Sequence, residues 1–171
     1  MADDDGVRER AIALAGAAKR GDTVAMNRLL DALAPYVGTI SASIALDHGA
    51  DAAQEAMIVI FRSLRGLRDP HALFGWVRQI TVREALPIAR REARQLPDEL
   101  EDIPARGDPQ LSTDVGDVMA HLSPEHRAIL LLRDLEGFTE EQAAHLLQVP
   151  RGTAKSRLNR ARGSFRKEWE S

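Results

Sequence analysis

The chain of 171 residues contains no cysteine, which excludes disulfide cross-links, cysteine-ligated zinc and thiol nucleophiles. Aromatic residues make up only 4% of it, so a core has to be assembled from Ala, Leu, Ile and Val. Stretches rich in Ala and Leu, with few β-branched alternations, then point to an all-α protein. No uninterrupted apolar run approaches the roughly 20 residues needed to span a bilayer. The first ten residues, MADDDGVRER, are acidic where a secretory leader is basic and then apolar. The sequence reads as a soluble, cytoplasmic protein with no membrane insertion. His48, His71, His121, His126 and His145 are scattered without ligand spacing, and neither a nucleophile–base pair nor a glycine-rich phosphate loop stands out. Metal, cofactor and catalysis are not expected.

What is present is charge, sorted along the chain. The net charge of −3 hides an acidic tract, in which Asp98, Glu99, Glu101, Asp102, Asp108, Asp114 and Asp117 face only Arg106. Basic residues gather instead at Arg83–Arg94 and Arg151–Lys167. A ligand responds to local charge, not to the total. Pro97, Pro104, Pro109 and Gly107 fall within Gln95–Thr113, so this segment reads as an extended acidic linker. It divides the chain into two small helical domains, residues 6–94 and 114–171.

In the first domain the pattern predicts a helix over Gly6–Lys19 and a second, capped by Asp22 or Thr23, to about Ala34. A third runs from Tyr36 to about Leu46 beyond a junction near Pro35. After a break at Asp47–Gly49, Asp51 is positioned to cap a helix whose apolar face is Ala53, Met57, Ile60, Phe61 and Leu64. Asp69-Pro70 starts another, carrying Leu73, Phe74, Trp76, Val77 and Ile80 towards Arg94, with Pro87 awkwardly inside.

The second domain is the more informative. Ser123-Pro124 starts a helix with the core stripe Ile129, Leu130, Leu132 and Leu135, ended by Gly137. Thr139 with Gln142 fits a capping box, and Ala143, Leu146 and Leu147 form a buried face. Val149-Pro150-Arg151-Gly152 makes a turn, and Thr153 opens a helix with the inner face Ala154, Leu158 and Ala161. That last helix has no acid until Glu168. A solvated helix face usually mixes signs, whereas the uniformly basic second helix of a helix-turn-helix suits the major groove. Lys155, Ser156, Asn159 and Arg160 lie opposite the packed stripe and are the candidates for base edges. Arg151, Thr153, Arg157 and Arg162 flank it and are candidates for phosphates.

The wording of this region, Gly152-Thr153-x-Lys155-Ser156-Arg157-x-x-Arg160-Ala161-Arg162 after LSPEHRAILLLRDLEGFTEEQAAHLL, closely resembles region 4 of bacterial sigma factors of the extracytoplasmic-function (ECF) group. That region recognises the −35 promoter element. DAAQEAMIVIFRSL resembles the region 2 helix that docks on the β′ clamp helices of RNA polymerase, with Asp51, Gln54 and Glu55 as its polar contacts. DPHALFGWVRQITVREALPIARREAR resembles the stretch that captures and melts the −10 element. The resemblance assigns Phe74, Trp76, Arg78, Arg83, Arg90 and Arg91 to this task, although Phe74 and Trp76 have the spacing of core residues. It also implies core RNA polymerase (β′ clamp helices and β flap), promoter DNA and an anti-sigma factor as partners, and location at the nucleoid when in holoenzyme. The chain departs from the family in having Ala52 and Ala53 where a second acid is usual, and Arg83 and Pro87 where Asn and Asp are common. Two other readings compete with the promoter-specificity subunit: a stand-alone helix-turn-helix regulator, and a sequestering protein-interaction module.

Overall fold

The computed structural model describes residues 2–95 and 115–171, with side chains from 6–94 and 115–171. Apart from the backbone of Gln95, the expected linker lies outside the described residues. Every regular element among the described residues is helical. The helices are α1 (Ala2–Lys19), α2 (Thr23–Ala45), α3 (Gly49–Ser63), α4 (Leu73–Gln95), α5 (Val115–Ala120), α6 (Pro124–Leu130), α7 (Glu140–Leu146) and α8 (Arg151–Trp169).

Asp22 caps α2 by accepting from the Ala25 N–H at 2.9 Å. The helix then runs unbroken through Pro35, where two helices were expected. A helical proline deprives the carbonyl four residues earlier of its donor. Here both Asp31 and Pro35 lie on the exposed side, so water can serve that carbonyl. Burial of Leu33, Val37 and Ile40 holds the helix together on the other side. Pro87 is accommodated in the same way within α4, with Arg83 and Pro87 both exposed. By length and composition alone the Thr23–Gly66 segment contains a window apolar enough to cross a membrane, a test that a buried core helix also passes. In the fold, α2 is the central helix and packs against α1, α3, α4 and α6.

Helix α3 corrects two expectations. It begins at Gly49, so Asp51 sits in its first turn and does not cap it. Its buried stripe is Gly49, Ala52, Ala56 and Ile60, while Ala53 and Met57 are half-buried and Phe61 is 54% exposed. The small residues win because α2 and α3 approach very closely. A Cβ on Gly49 would lie 2.7 Å from the Ala42 Cα. Ile60 and Leu64 are buried as expected, so apolar bulk misplaced only the edge of the stripe, at Ala53, Met57 and Phe61.

The N-terminal core gathers Ala11 and Ala15 of α1, Leu29 and Leu33 of α2, Ile60 of α3, and Leu73 and Val77 of α4. A second core, built around Ile129, Leu132, Leu146 and Leu158, does not stop at the C-terminal helices. It continues onto Ile40, Ile44, Val82, Leu86 and Ala89 of α2 and α4. The two helical units therefore dock through an apolar junction.

Ser123 accepts from the His126 N–H at 3.3 Å, and Pro124 opens α6, as expected. Beyond Leu130 the helix widens into one π-type turn, Leu131–Leu135, in which the Glu136 N–H donates to the Leu131 carbonyl at 2.9 Å. The extra residue per turn rotates the chain beyond it. Leu131 is buried, and Leu135, expected in the core, is 69% exposed. Gly137, at φ +69°, ends the segment as expected.

Candidate nucleic-acid interface

Helices α7 and α8 form the helix-turn-helix. The capping box is complete: Thr139 Oγ1 accepts from the Gln142 N–H at 3.2 Å, and Gln142 Oε1 from the Thr139 N–H at 2.9 Å. At the other end of α7, Gln148 adopts a left-handed φ of +55°. The Val149 N–H reaches back to the Ala144 carbonyl at 3.0 Å and the Gln148 N–H to that of His145 at 3.2 Å, a Schellman closure. It turns the chain sharply into Pro150, and α8 begins directly at Arg151. Arg151 and Gly152 thus belong to the first turn of α8, where Thr153 was expected to open it. Ala154, Leu158 and Ala161 are buried, as the spacing required.

All four base-edge candidates, Lys155, Ser156, Asn159 and Arg160, are exposed. Ser156 Oγ donates to the Thr153 carbonyl at 3.0 Å, and Arg160 leans along the helix onto Ser156, with Nη2 3.4 Å from its hydroxyl. The phosphate candidates are less uniform. Arg151 is exposed, with Glu140 at 3.7 Å. Thr153 and Arg157 are half-buried. Arg162 is engaged by Asp134 in a two-pronged pair of 3.1 and 2.5 Å. His126 lies near this basic surface. Its pKa is lowered first by burial and then by the charges of Arg160 and Arg157, against a smaller opposing effect of Glu125.

On α3, Asp51, Gln54 and Glu55 are all exposed, and Ile58 and Phe61 continue the exposed surface. On α4 the six candidates separate. Phe74 is half-buried, edge-on to Tyr36 at 5.4 Å and under the Arg8 guanidinium at 4.6 Å. Trp76 packs, half-buried, against the N-terminal core. Arg83 and Arg91 are exposed, Arg91 with Glu92 at 3.7 Å. Arg78 and Arg90 instead point into the junction between the two units. Arg78 Nε lies 2.7 Å from Glu136 Oε2 and 2.8 Å from the Tyr36 hydroxyl, and its guanidinium covers the Phe138 ring at 4.8 Å. Arg90 Nε lies 2.7 Å from Glu125 Oε1. Burial tends to raise the Glu125 carboxyl, but the hydrogen bond from Arg90, a backbone hydrogen bond and the charges of Arg90 and Arg157 together hold it below the usual range.

Sequence reasoning missed the residue that ties the junction together. Arg127 is buried, and its Nε donates to the Ile44 carbonyl at 2.8 Å while Nη1 donates to the Leu122 carbonyl. The first of these carbonyls belongs to the last turn of α2, where no intrahelical donor remains and a cation also suits the helix dipole. Burial pushes the guanidinium down to about 10, opposed by Glu125, so it stays charged at neutral pH. The available signal was a lone arginine among apolar neighbours one turn before Leu131. Beside the junction, an open apolar groove of about 830 Å³ is lined by Leu46, Met119, Leu135, Phe165 and Trp169, among others.

Comparison with known proteins agrees with this geometry. The family model for Sigma-70, region 4, matches residues 112–164. The chain is 33% identical to the ECF RNA polymerase sigma factor SigE of Mycolicibacterium smegmatis, over 68% of this chain and 49% of that protein. It thus spans about half the length of that relative. It is 30% identical to the RNA polymerase sigma-H factor of Pseudomonas aeruginosa, over 68% of this chain and 70% of that one. The fold matches that of the sigma factor RpoE, solved in complex with the anti-sigma factor NepR from Bartonella quintana. The TM-score is 0.60 at 22% identity, covering 84% of this chain and 96% of that one. A helix-turn-helix with an acid-free recognition face, carried on a helical unit that matches these relatives beyond region 4, places the chain in the RNA polymerase sigma factor family, within its ECF group.

Proposed function

We propose that this chain acts as a promoter-specificity subunit, binding core RNA polymerase and directing initiation at promoters with −35 and −10 elements. It works by binding and positioning, without catalysis of its own, in the cytoplasm and at the nucleoid. Residues 6–94 serve as region 2, residues 114–171 as region 4, and residues 95–113 as the connection. Asp51, Gln54 and Glu55 on the free face of α3 meet the β′ clamp helices, and region 4 meets the β flap. Arg83 and Arg91, with Arg78 and Arg90 once released from the junction, serve the −10 region. Phe74 and Trp76 back that surface as packing residues. An anti-sigma factor is the expected antagonist, and the apolar groove beside Leu135 and Trp169 offers it a site.

The observation that carries this reading is the exposed face of α8. Lys155, Ser156, Asn159 and Arg160 project together, from a helix with no acid between Arg151 and Lys167. Arg and Lys match guanine acceptors and Asn matches adenine, at about 1–3 kcal/mol for a good bidentate contact. Transcription by core polymerase supplemented with the chain, on a randomised promoter library, tests it. Arg160→Ala should change the accepted −35 bases. Arg151→Ala should weaken all promoters alike and flatten the salt dependence. Absence of promoter-directed transcripts with wild-type protein would refute the function. Unchanged −35 preferences in Arg160→Ala would refute the placement of α8.

A further inference from the structure

We propose that the open groove beside the junction is a ligand site for a single-chain carboxylate amphiphile, an alkyl chain with one anionic head. The inference goes beyond the promoter-specificity reading and does not depend on it. Small-molecule sites are concave and mostly apolar, about 300–1,000 Å³ in size, with a few polar groups that fix the ligand's orientation. This groove, of about 830 Å³, falls within that range. Its walls come from α2 at Leu46, from α5 at Met119, from the π turn at Leu135, and from α8 at Phe165 and Trp169. The rings of Phe165 and Trp169 stack at 5.9 Å with 14° between their planes, which makes one flat apolar wall. Leu135 is 69% exposed and Trp169 48%. Large apolar side chains left in water around one concavity mark a binding surface, and an alkyl chain would cover them favourably.

Backbone strain and charge then define the site and its occupant. Leu46 holds φ at +50°, a region that a bulky side chain rarely enters. Residues kept in such conformations cluster at ligand-binding positions, and here the strained residue lines the groove. The charge on the rim is of one effective sign. Both carboxylate oxygens of Asp134 are taken by Arg162, at 3.1 and 2.5 Å. Arg166, one turn further along α8, also lines the groove. It is exposed and has no ion-pair partner among the described residues. The uncompensated cation selects an anion, and a guanidinium can hold a carboxylate through two parallel N–H bonds. A neutral head would leave Arg166 unused, and a cationic head would be repelled by it. A protein antagonist seated on the same groove would compete with this ligand for Leu135 and Trp169.

Calorimetric titration of the full chain with decanoate, below the concentration at which it self-associates, tests the site. Binding should saturate at one equivalent and raise the unfolding temperature, with helicity by circular dichroism unchanged. Leu135→Asp, at an exposed position, should weaken both decanoate and the neutral analogue decanol on the order of tenfold. Arg166→Gln should weaken decanoate on the order of tenfold and leave decanol unchanged. That split reads the head group separately from the chain, and a mere loss of stability would not produce it. No binding, binding of decanoate without saturation, or wild-type decanoate affinity in either variant would overturn the proposal. So would binding to vesicles of anionic phospholipid with none to monomeric decanoate, which would make the patch a membrane-facing surface. The titration uses neither polymerase nor promoter, so the ligand site and the promoter-specificity reading stand or fall separately.

Discussion

Replacing Arg127 with methionine tests whether the junction is held by a buried charge or merely tolerates one. The substitution keeps the apolar stem and removes the guanidinium that serves the Ile44 and Leu122 carbonyls. Two opposing contributions nearly cancel in the native protein. Hydrogen bonds from a charged donor contribute about 1.5–3 kcal/mol each. Lowering the group from 12.5 to about 10 corresponds to roughly 3 kcal/mol against its charged form, at 1.36 kcal/mol per pKa unit. Methionine recovers that desolvation but leaves two buried acceptors without donors, at about 1–3 kcal/mol each. With the first two contributions offsetting, the two unpaired acceptors set the expected net loss at about 2–6 kcal/mol, a large part of the stability of an ordinary domain. Urea unfolding of the full chain at neutral pH should show it as a lower midpoint with little change in slope. Arg127→Lys retains a charge but cannot fork to both carbonyls, so it should fall between the two. A methionine variant within about 0.5 kcal/mol of wild type would mean that water reaches both carbonyls and that Arg127 is no strap.

Other substitutions probe positions where backbone geometry decides. Gly49→Ala would force a Cβ to within 2.7 Å of the Ala42 Cα. It should cost about 1–3 kcal/mol by overpacking and weaken polymerase binding by displacing α3, both measurable on the purified chain. Gln148→Gly should raise the unfolding free energy by up to about 1 kcal/mol, and the midpoint with it, because Gln148 holds φ at +55° and glycine carries no Cβ penalty there. A lower midpoint would mean that the Gln148 side chain stabilises the turn. Stability should also depend on pH in two windows. The fold favours neutral His126, whose pKa is lowered from 6.5, so its contribution is complete above that value and is lost as pH falls through the lowered one. The fold also favours ionised Glu125, lowered from 4.5, so the Arg90 pair contributes above that value and is lost on further acidification. Unfolding midpoints followed from pH 8 to about pH 3 should decline in both windows, and His126→Gln should abolish only the upper decline.

The features that could be read from the sequence are those decided within a turn or two of chain. Ser123 with Pro124, Thr139 with Gln142, and the Ala154–Leu158–Ala161 stripe are local signals, and each has its expected place in the fold. Asp51, Gln54 and Glu55 are exposed, as their spacing requires, and Ile60 and Leu64 of the expected stripe are buried, while Phe61 is not. The errors in α3 and at Leu135 share a cause. Hydrophobic periodicity weighs bulk, whereas the close approach of α2 rewards Gly49, Ala52 and Ala56, and one π turn carries Leu135 out of the stripe that Leu132 keeps. The two internal prolines were misjudged or left unresolved because their cost depends on whether the freed carbonyl meets solvent, which is a property of the packed helix.

The charged residues of the junction show where local reading has to stop. Arg78 and Arg83 lie on the same helix, and nothing in their immediate neighbourhood distinguishes them. One is enclosed by Tyr36, Phe138 and Glu136, and the other is exposed. The difference comes from partners 42 residues earlier and 58 residues later in the chain, positioned by a core that crosses from one unit to the other. A guanidinium is equally well served by either anion. The sequence determines that Arg78 will seek a negative partner, and the docking of the two units determines which one it meets. A reading of α4 alone therefore cannot separate an arginine that pairs inside the protein, as Arg78 does with Glu136, from one left on the surface, as Arg83 is.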